Sequence, residues 1–153
     1  MAKHLNEGGE FPNDFVDNRD GTITDRATGL MWEKGGSSSQ LRYRNAQKYV
    51  SRLNEQNFLG HNDWRIPTLV ELCSLLEPGV NERGQHISSV FEGKQSKCLA
   101  IDPFVRTPYA QLCGTRTIVD FTKGKIDESA TENISDRNCR SVRYFIRAVR
   151  TTK

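Results

Sequence analysis

Between Leu41 and about Asn57 the apolar residues Leu41, Ala46, Tyr49, Val50 and Leu53 recur every three to four positions, the period of a helix with one buried face. Arg42, Arg44, Lys48, Arg52 and Glu55 fall largely on the opposite side. A second helix is expected from Leu69 to about Leu76, with Pro78-Gly79 ending it. Its start is marked by Thr68, whose hydroxyl can cap free backbone N–H groups while Glu71, three residues on, reaches back. Shorter periods bracket these helices. Phe15-Val16-Asp17-Asn18 and Thr22-Ile23-Thr24-Asp25 are β-prone runs joined through Arg19-Asp20-Gly21, a hairpin signal because glycine accepts the positive φ of a tight turn. After a turn at Ala27-Thr28-Gly29, Leu30-Met31-Trp32 reads as a core strand, and Gly35-Gly36-Ser37-Ser38-Ser39 as a flexible loop.

From Asn81 to Pro108 no period is sustained, and the stretch reads as a long loop with short elements around Val90-Phe91 and Phe104-Val105. Order returns with Thr117-Ile118-Val119-Asp120-Phe121, a turn at Lys123-Gly124, and Lys125-Ile126. The last run alternates: Val142, Tyr144, Ile146 and Ala148 against Arg143, Phe145, Arg147 and Val149, predicting one core face and one partly basic face.

At 153 residues the chain suits one domain, able to bury roughly 70% of its unfolded surface. The expected organisation is a loose, polar lead-in over 1–12 and a single domain over 13–153. Nothing resembles a run of about 18 apolar residues, so membrane insertion is not expected. Met1 to Glu10 lacks the apolar centre of a signal peptide, which leaves a cytoplasmic location open. The net charge of +3 is small but uneven. Arg137, Arg140, Arg143, Arg147, Arg150 and Lys153 close the chain with no acid among them, after the acidic group Asp127, Glu128, Glu132 and Asp136. Such a run is either a solvated face or a polyanion-binding strip. A nucleic-acid partner is not expected, and oligomerisation is left open.

Signatures of catalysis are missing. Cys73, Cys98, Cys113 and Cys139 include no close pair, which removes the common zinc, thioredoxin-like and haem-attachment patterns. Four cysteines allow three full disulfide pairings; Cys73 lies in an apolar helical pattern and reads as a buried thiol. His4, His61 and His86 make no HxxxH pair, and phosphate-loop, nucleophile-elbow and dinucleotide fingerprints are absent. Aligning Asp20-Gly21 with positions five and six of an EF-hand loop puts Val16 at position one and Ala27 at twelve, so that motif fails. A structural calcium of another type would draw on Asp14, Asp17, Asp20 or Asp25. Otherwise no cofactor is expected. Trp64, just before the capped helix, reads as a core anchor, and Arg65 as a donor to nearby carbonyls or acids.

The ordered set Asp17 to Asp25, Thr28-Gly29-Leu30-Met31-Trp32, Asp63-Trp64-Arg65-Ile66-Pro67-Thr68 with Glu71-Leu72, Val119-Asp120-Phe121 with Gly124, and Val142-Arg143 through Arg147-Ala148-Val149-Arg150 resembles a DUF1566 domain. That family is also known as the C-terminal domain of Legionella collagen-like proteins. The resemblance spans about Phe15 to Arg150. It implies an α+β, C-type-lectin-like fold: two helices packed on antiparallel sheets, with a long loop-rich half that binds ligand. It also leans towards an extracellular or cell-surface setting.

Known members bind sulfated glycosaminoglycans, so the resemblance implies a non-enzymatic recognition module for an anionic glycan. The alternative is a protein-binding domain of the kind varied by diversity-generating retroelements. An enzymatic reading, by likeness to formylglycine-generating enzymes, would need a close cysteine pair that the sequence does not contain. Two departures bear on the ligand. Tyr109-Ala110-Gln111-Leu112-Cys113-Gly114-Thr115 stands where many members carry a Tyr-Trp-Ser-Ser-Thr-like stretch, and the calcium motifs of true C-type lectins are missing. The expected anion contacts are Arg137, Arg140, Arg143 and Arg147, although alternation sets Arg140 and Arg143 on opposite faces. Arg106, Tyr109, Gln111, Arg116, Asn133 and Asn138 complete the expected ligand surface.

Overall fold

A computed structural model describes residues 13–93, 96–103, 116–126 and 143–152. Four strands form the first sheet: β1 (Phe15–Asp17), β2 (Thr22–Asp25), β3 (Leu30–Glu33) and β7 (Val149–Thr151), antiparallel in that order. Three form the second: β4 (Lys97–Pro103), β5 (Arg116–Asp120) and β6 (Lys125–Ile126), also antiparallel. Between β3 and β4 the chain makes helix α1 (Tyr43–Glu55), a 3-10 turn (Phe58–Gly60) and helix α2 (Leu69–Cys73). The protein is therefore mixed α and β, with two helices and two antiparallel sheets among the described residues.

The hairpin forms as expected. Arg19 (φ 59°) and Gly21 (φ 96°) take the positive φ values that reverse the chain, and Asn18 N–H closes the turn on the Thr22 carbonyl. Asn18 Nδ2 reaches the hydroxyls of Thr22 and Thr24, while Asp20 accepts the Thr22 N–H. The helix prediction also holds for α1. On α2 both halves of the capping box are present, Glu71 N–H to the Thr68 hydroxyl at 3.2 Å and Thr68 N–H to the Glu71 carboxylate at 2.9 Å. The α-helical part stops at Cys73, three residues short of the expected end, and tighter turns carry the chain through Leu76.

Two hydrophobic clusters share the central strands. Cys98, Ala100, Val119 and Phe121 pack with Ile23, Trp32, Leu72 and Leu75 on one side. Leu99, Ile118, Tyr144, Ile146 and Ala148 pack with Ala46, Val50, Leu53, Trp64 and Ile66 on the other. Strand β4 thus sends alternate side chains into different cores, which is why its sequence, apolar on both faces, carried no alternation and read as loop. Of the two short elements expected in that stretch, Val90-Phe91 is a turn that buries Phe91, and Phe104-Val105 lies outside the described residues.

The closing run departs from the single strand that alternation predicted. Over Tyr144–Val149 almost every residue bonds a different partner: Tyr144 with Leu41, Phe145 with Lys97 and Leu99, Ile146 with Ser37, Ala148 with Glu33 and Val149 with Arg65. This seam is covered on both sides. Only from Val149 does it pair in the sheet as β7.

Candidate functional site

Arg147 overturns part of the expected anion strip. It is 1% exposed, and its guanidinium is spent on main-chain carbonyls: Nη1 donates to Glu33 (2.7 Å) and Lys34, and Nη2 to Glu92 (3.1 Å). Its Cζ lies 4.8 Å from the centre of the Phe91 ring. Alternation had put Arg147 on a solvent face, but the seam has no such face there, so it is a structural residue. Arg143 is exposed. Arg116 opens β5. Arg106, Tyr109, Gln111, Asn133, Arg137, Asn138 and Arg140 lie outside the described residues, as do Cys113 and Cys139.

Other charges are also committed within the fold. Arg65 makes a bidentate pair with Glu71, both distances 2.7 Å, and also donates to the Thr151 hydroxyl at 3.2 Å. Burial alone would raise the Glu71 carboxyl, but Arg65 and the Thr68 N–H outweigh it and hold it below the usual glutamate value. Arg150 clamps Asp63 (2.6 and 3.2 Å) and holds that carboxyl below its ordinary value. Segment Asp63–Thr68 is therefore a joint tying α2 to the end of the chain. Trp64, 2% exposed, is its anchor, with its indole N–H on the Phe58 carbonyl.

The hairpin carboxylates serve the backbone and neighbouring cations. Asp25 accepts the N–H groups of Asp14 and Ala27, Asp17 pairs with Lys34, and Asp14 with Arg26. Among the described residues no group of three or more His, Cys, Asp or Glu side chains is gathered as a metal would need. Burial raises the thiol of half-buried Cys73 and pushes that of fully buried Cys98 up to about 11.

The outer face of α1 is different. Arg42, Lys48 and Arg52 are exposed and form no ion pair among the described residues, with Glu55 the lone acid of that helix. Lys48 and Arg52, four apart, project from the same side.

Arg52 also stands at the rim of a pocket of about 440 Å³ between α1, the loop after β3 and the 3-10 turn. Glu33 and Tyr49 line it, joined by a 2.7 Å hydrogen bond from the tyrosine hydroxyl to the carboxylate. The other Glu33 oxygen accepts the Ala148 N–H at 2.7 Å. Burial pushes the Glu33 carboxyl above its ordinary value, against the pull of Ala148, Tyr49 and Arg147. Burial and the adjoining Glu33 carboxylate likewise raise the Tyr49 hydroxyl. Leu53, Phe58 and Leu59 form an apolar wall. Sequence reasoning missed this site because Tyr49 counted only as a core position; an acid closing the apolar run Leu30-Met31-Trp32 was the available signal.

Residues 21–150 match the family model described as Lcl C-terminal domain. Comparison with curated proteins and with solved structures finds no match.

Proposed function

Because the chain belongs to the Lcl C-terminal domain family, we propose that it is a non-enzymatic recognition module of C-type-lectin-like fold that binds a sulfated or otherwise anionic glycan. The reading is carried by Lys48 and Arg52 on the outer face of α1 and Arg42 just before it, which are exposed and without an ion pair among the described residues, while Arg65, Arg147 and Arg150 are held by internal partners. A guanidinium or ammonium without an internal partner can meet a sulfate or carboxylate with little rearrangement. Exposed Arg143 is a further contact in this proposal. The lectin-like architecture is supported by two helices beside two antiparallel sheets, and by a last strand that returns to the sheet of the first. A non-enzymatic role fits Cys73 and Cys98, whose burial favours the neutral thiol over the reactive thiolate.

Retention on immobilised heparin across a salt gradient tests the proposal. The expected result is elution above physiological salt, with Lys48→Ala/Arg52→Ala eluting clearly earlier, since attraction between exposed charges is screened by salt. Elution at or below physiological salt, unchanged in the double variant, would remove it. Saturable, salt-insensitive capture of a protein ligand would instead favour protein recognition.

A further inference from the structure

We propose that the pocket between α1 and the loop after β3 seats a single pyranose sugar. Its lining mixes two kinds of surface. Leu53, Phe58 and Leu59 contribute apolar surface to the lining, while Glu33, Tyr49, Gln56 and Ser38 contribute hydrogen-bonding groups. A pyranose has the matching division, with apolar C–H faces and a rim of hydroxyls that each donate and accept. At about 440 Å³ the pocket lies within the range of small-ligand sites.

Charge narrows the ligand class. The lining mixes basic Lys34 and Arg52 with acidic Glu33 and Glu92, so it is not a site of one sign for a small ion. Lys34 is already held by Asp17 at 2.9 Å, and Glu33 by Tyr49 and Ala148. Hydroxyls use both kinds of group at once: carboxylate and tyrosine oxygens accept, and Lys34 and Arg52 donate.

The walls are also fixed before any ligand arrives. Asn57 (φ 48°) and Leu59 (φ 54°) both take left-handed backbone that costs a non-glycine residue roughly 1–2 kcal/mol each. That turn is held in place from behind. Asn54 bonds both the N–H (2.7 Å) and the carbonyl (2.9 Å) of Trp64, whose indole N–H takes the Phe58 carbonyl at 3.0 Å. On the opposite side, Arg147 ties down the carbonyls of Glu33, Lys34 and Glu92. Preorganisation of this kind lowers the ordering cost of binding.

This assignment rests on the glycan reading above and deepens it. Arg52 belongs to both the basic face and the pocket rim, so one sugar ring in the pocket would lead its anionic neighbours along α1.

The test is an NMR titration of backbone amides with glucose, galactose, mannose, N-acetylglucosamine and glucuronate in turn, with glycine and leucine as non-sugar controls. At least one sugar is expected to give saturable shifts centred on Gly35, Gly36, Tyr49, Gln56 and Phe58. Ser38→Trp, an exposed position at the mouth, should weaken that binding at least tenfold while the rest of the spectrum is unchanged. The assignment is overturned if no sugar gives saturable shifts there, if the amino acids do so in their place, or if the shifts survive Ser38→Trp. Heparin retention keeps the two proposals apart. Retention without sugar shifts sinks the pocket alone, whereas sugar shifts without retention sink the polyanion reading alone.

Discussion

Arg147 is a buried tie between separate stretches of the chain. Three main-chain carbonyls from two separate stretches, Glu33-Lys34 and Glu92, converge on its guanidinium, and no apolar side chain can replace those donors. Arg147→Met is therefore expected to cost about 3–5 kcal/mol in urea unfolding, the range for breaking a buried charged network. Arg143→Met, at an exposed position, should stay within about 0.5 kcal/mol. Glu33 gives a second measurable signature. Its folded pKa is raised by burial, so the folded state holds that proton more tightly than the unfolded chain does. The contribution to stability is full below the ordinary glutamate value and is lost as pH rises through the raised one. Glu33→Gln should flatten the decline in stability across that window in pH-dependent melting. Tyr49→Phe, which removes a hydrogen bond to a carboxylate, should cost about 1.5–3 kcal/mol.

Helix α2, only five residues long, depends on its ends more than on its own propensity. Thr68→Ala removes the hydroxyl that caps Glu71 N–H and should cost about 1 kcal/mol by chemical denaturation. Glu71 closes both the cap and the pair with Arg65, and its folded pKa is lowered. Its contribution is present above the ordinary glutamate value and is lost as pH falls through the depressed one. The sign is opposite to that of Glu33. Glu71→Gln should be less stable than the wild type at neutral pH and show a shallower loss on acidification.

At the scale of the whole molecule, the two clusters are joined by strands that face both and closed by the seam Tyr144–Val149. The seam is consequently part of the core as far as Val149. Val149 is fully buried, pairs with Trp32 in the first sheet and exchanges two backbone bonds with Arg65. Deleting residues Val149 to Lys153 should abolish the single cooperative thermal transition, read as a broadened melt with lost near-ultraviolet circular dichroism. A sharp transition close to that of the full chain would show that the seam is dispensable.

Local features were legible in the sequence wherever their cause was local. The Asp20-Gly21 hairpin, the buried face of α1, the Thr68–Glu71 cap and the anchoring role of Trp64 each follow from residues a few positions apart, through φ preference, helical period or a reach of three residues. Motif order was enough to indicate the family. Tertiary structure decided what depends on having neighbours on both sides. Strand β4 carries no alternation signal, and the alternation of the closing seam misleads, because each of their faces meets a core. The same packing turns Arg147 from a surface cation into a buried tie, while Arg52, on the outer face of a helix, stays open to solvent. A charge in a sequence states only its sign; whether a carbonyl, a carboxylate or water meets it is fixed by segments as distant as Glu33 and Arg147, which only folding brings together.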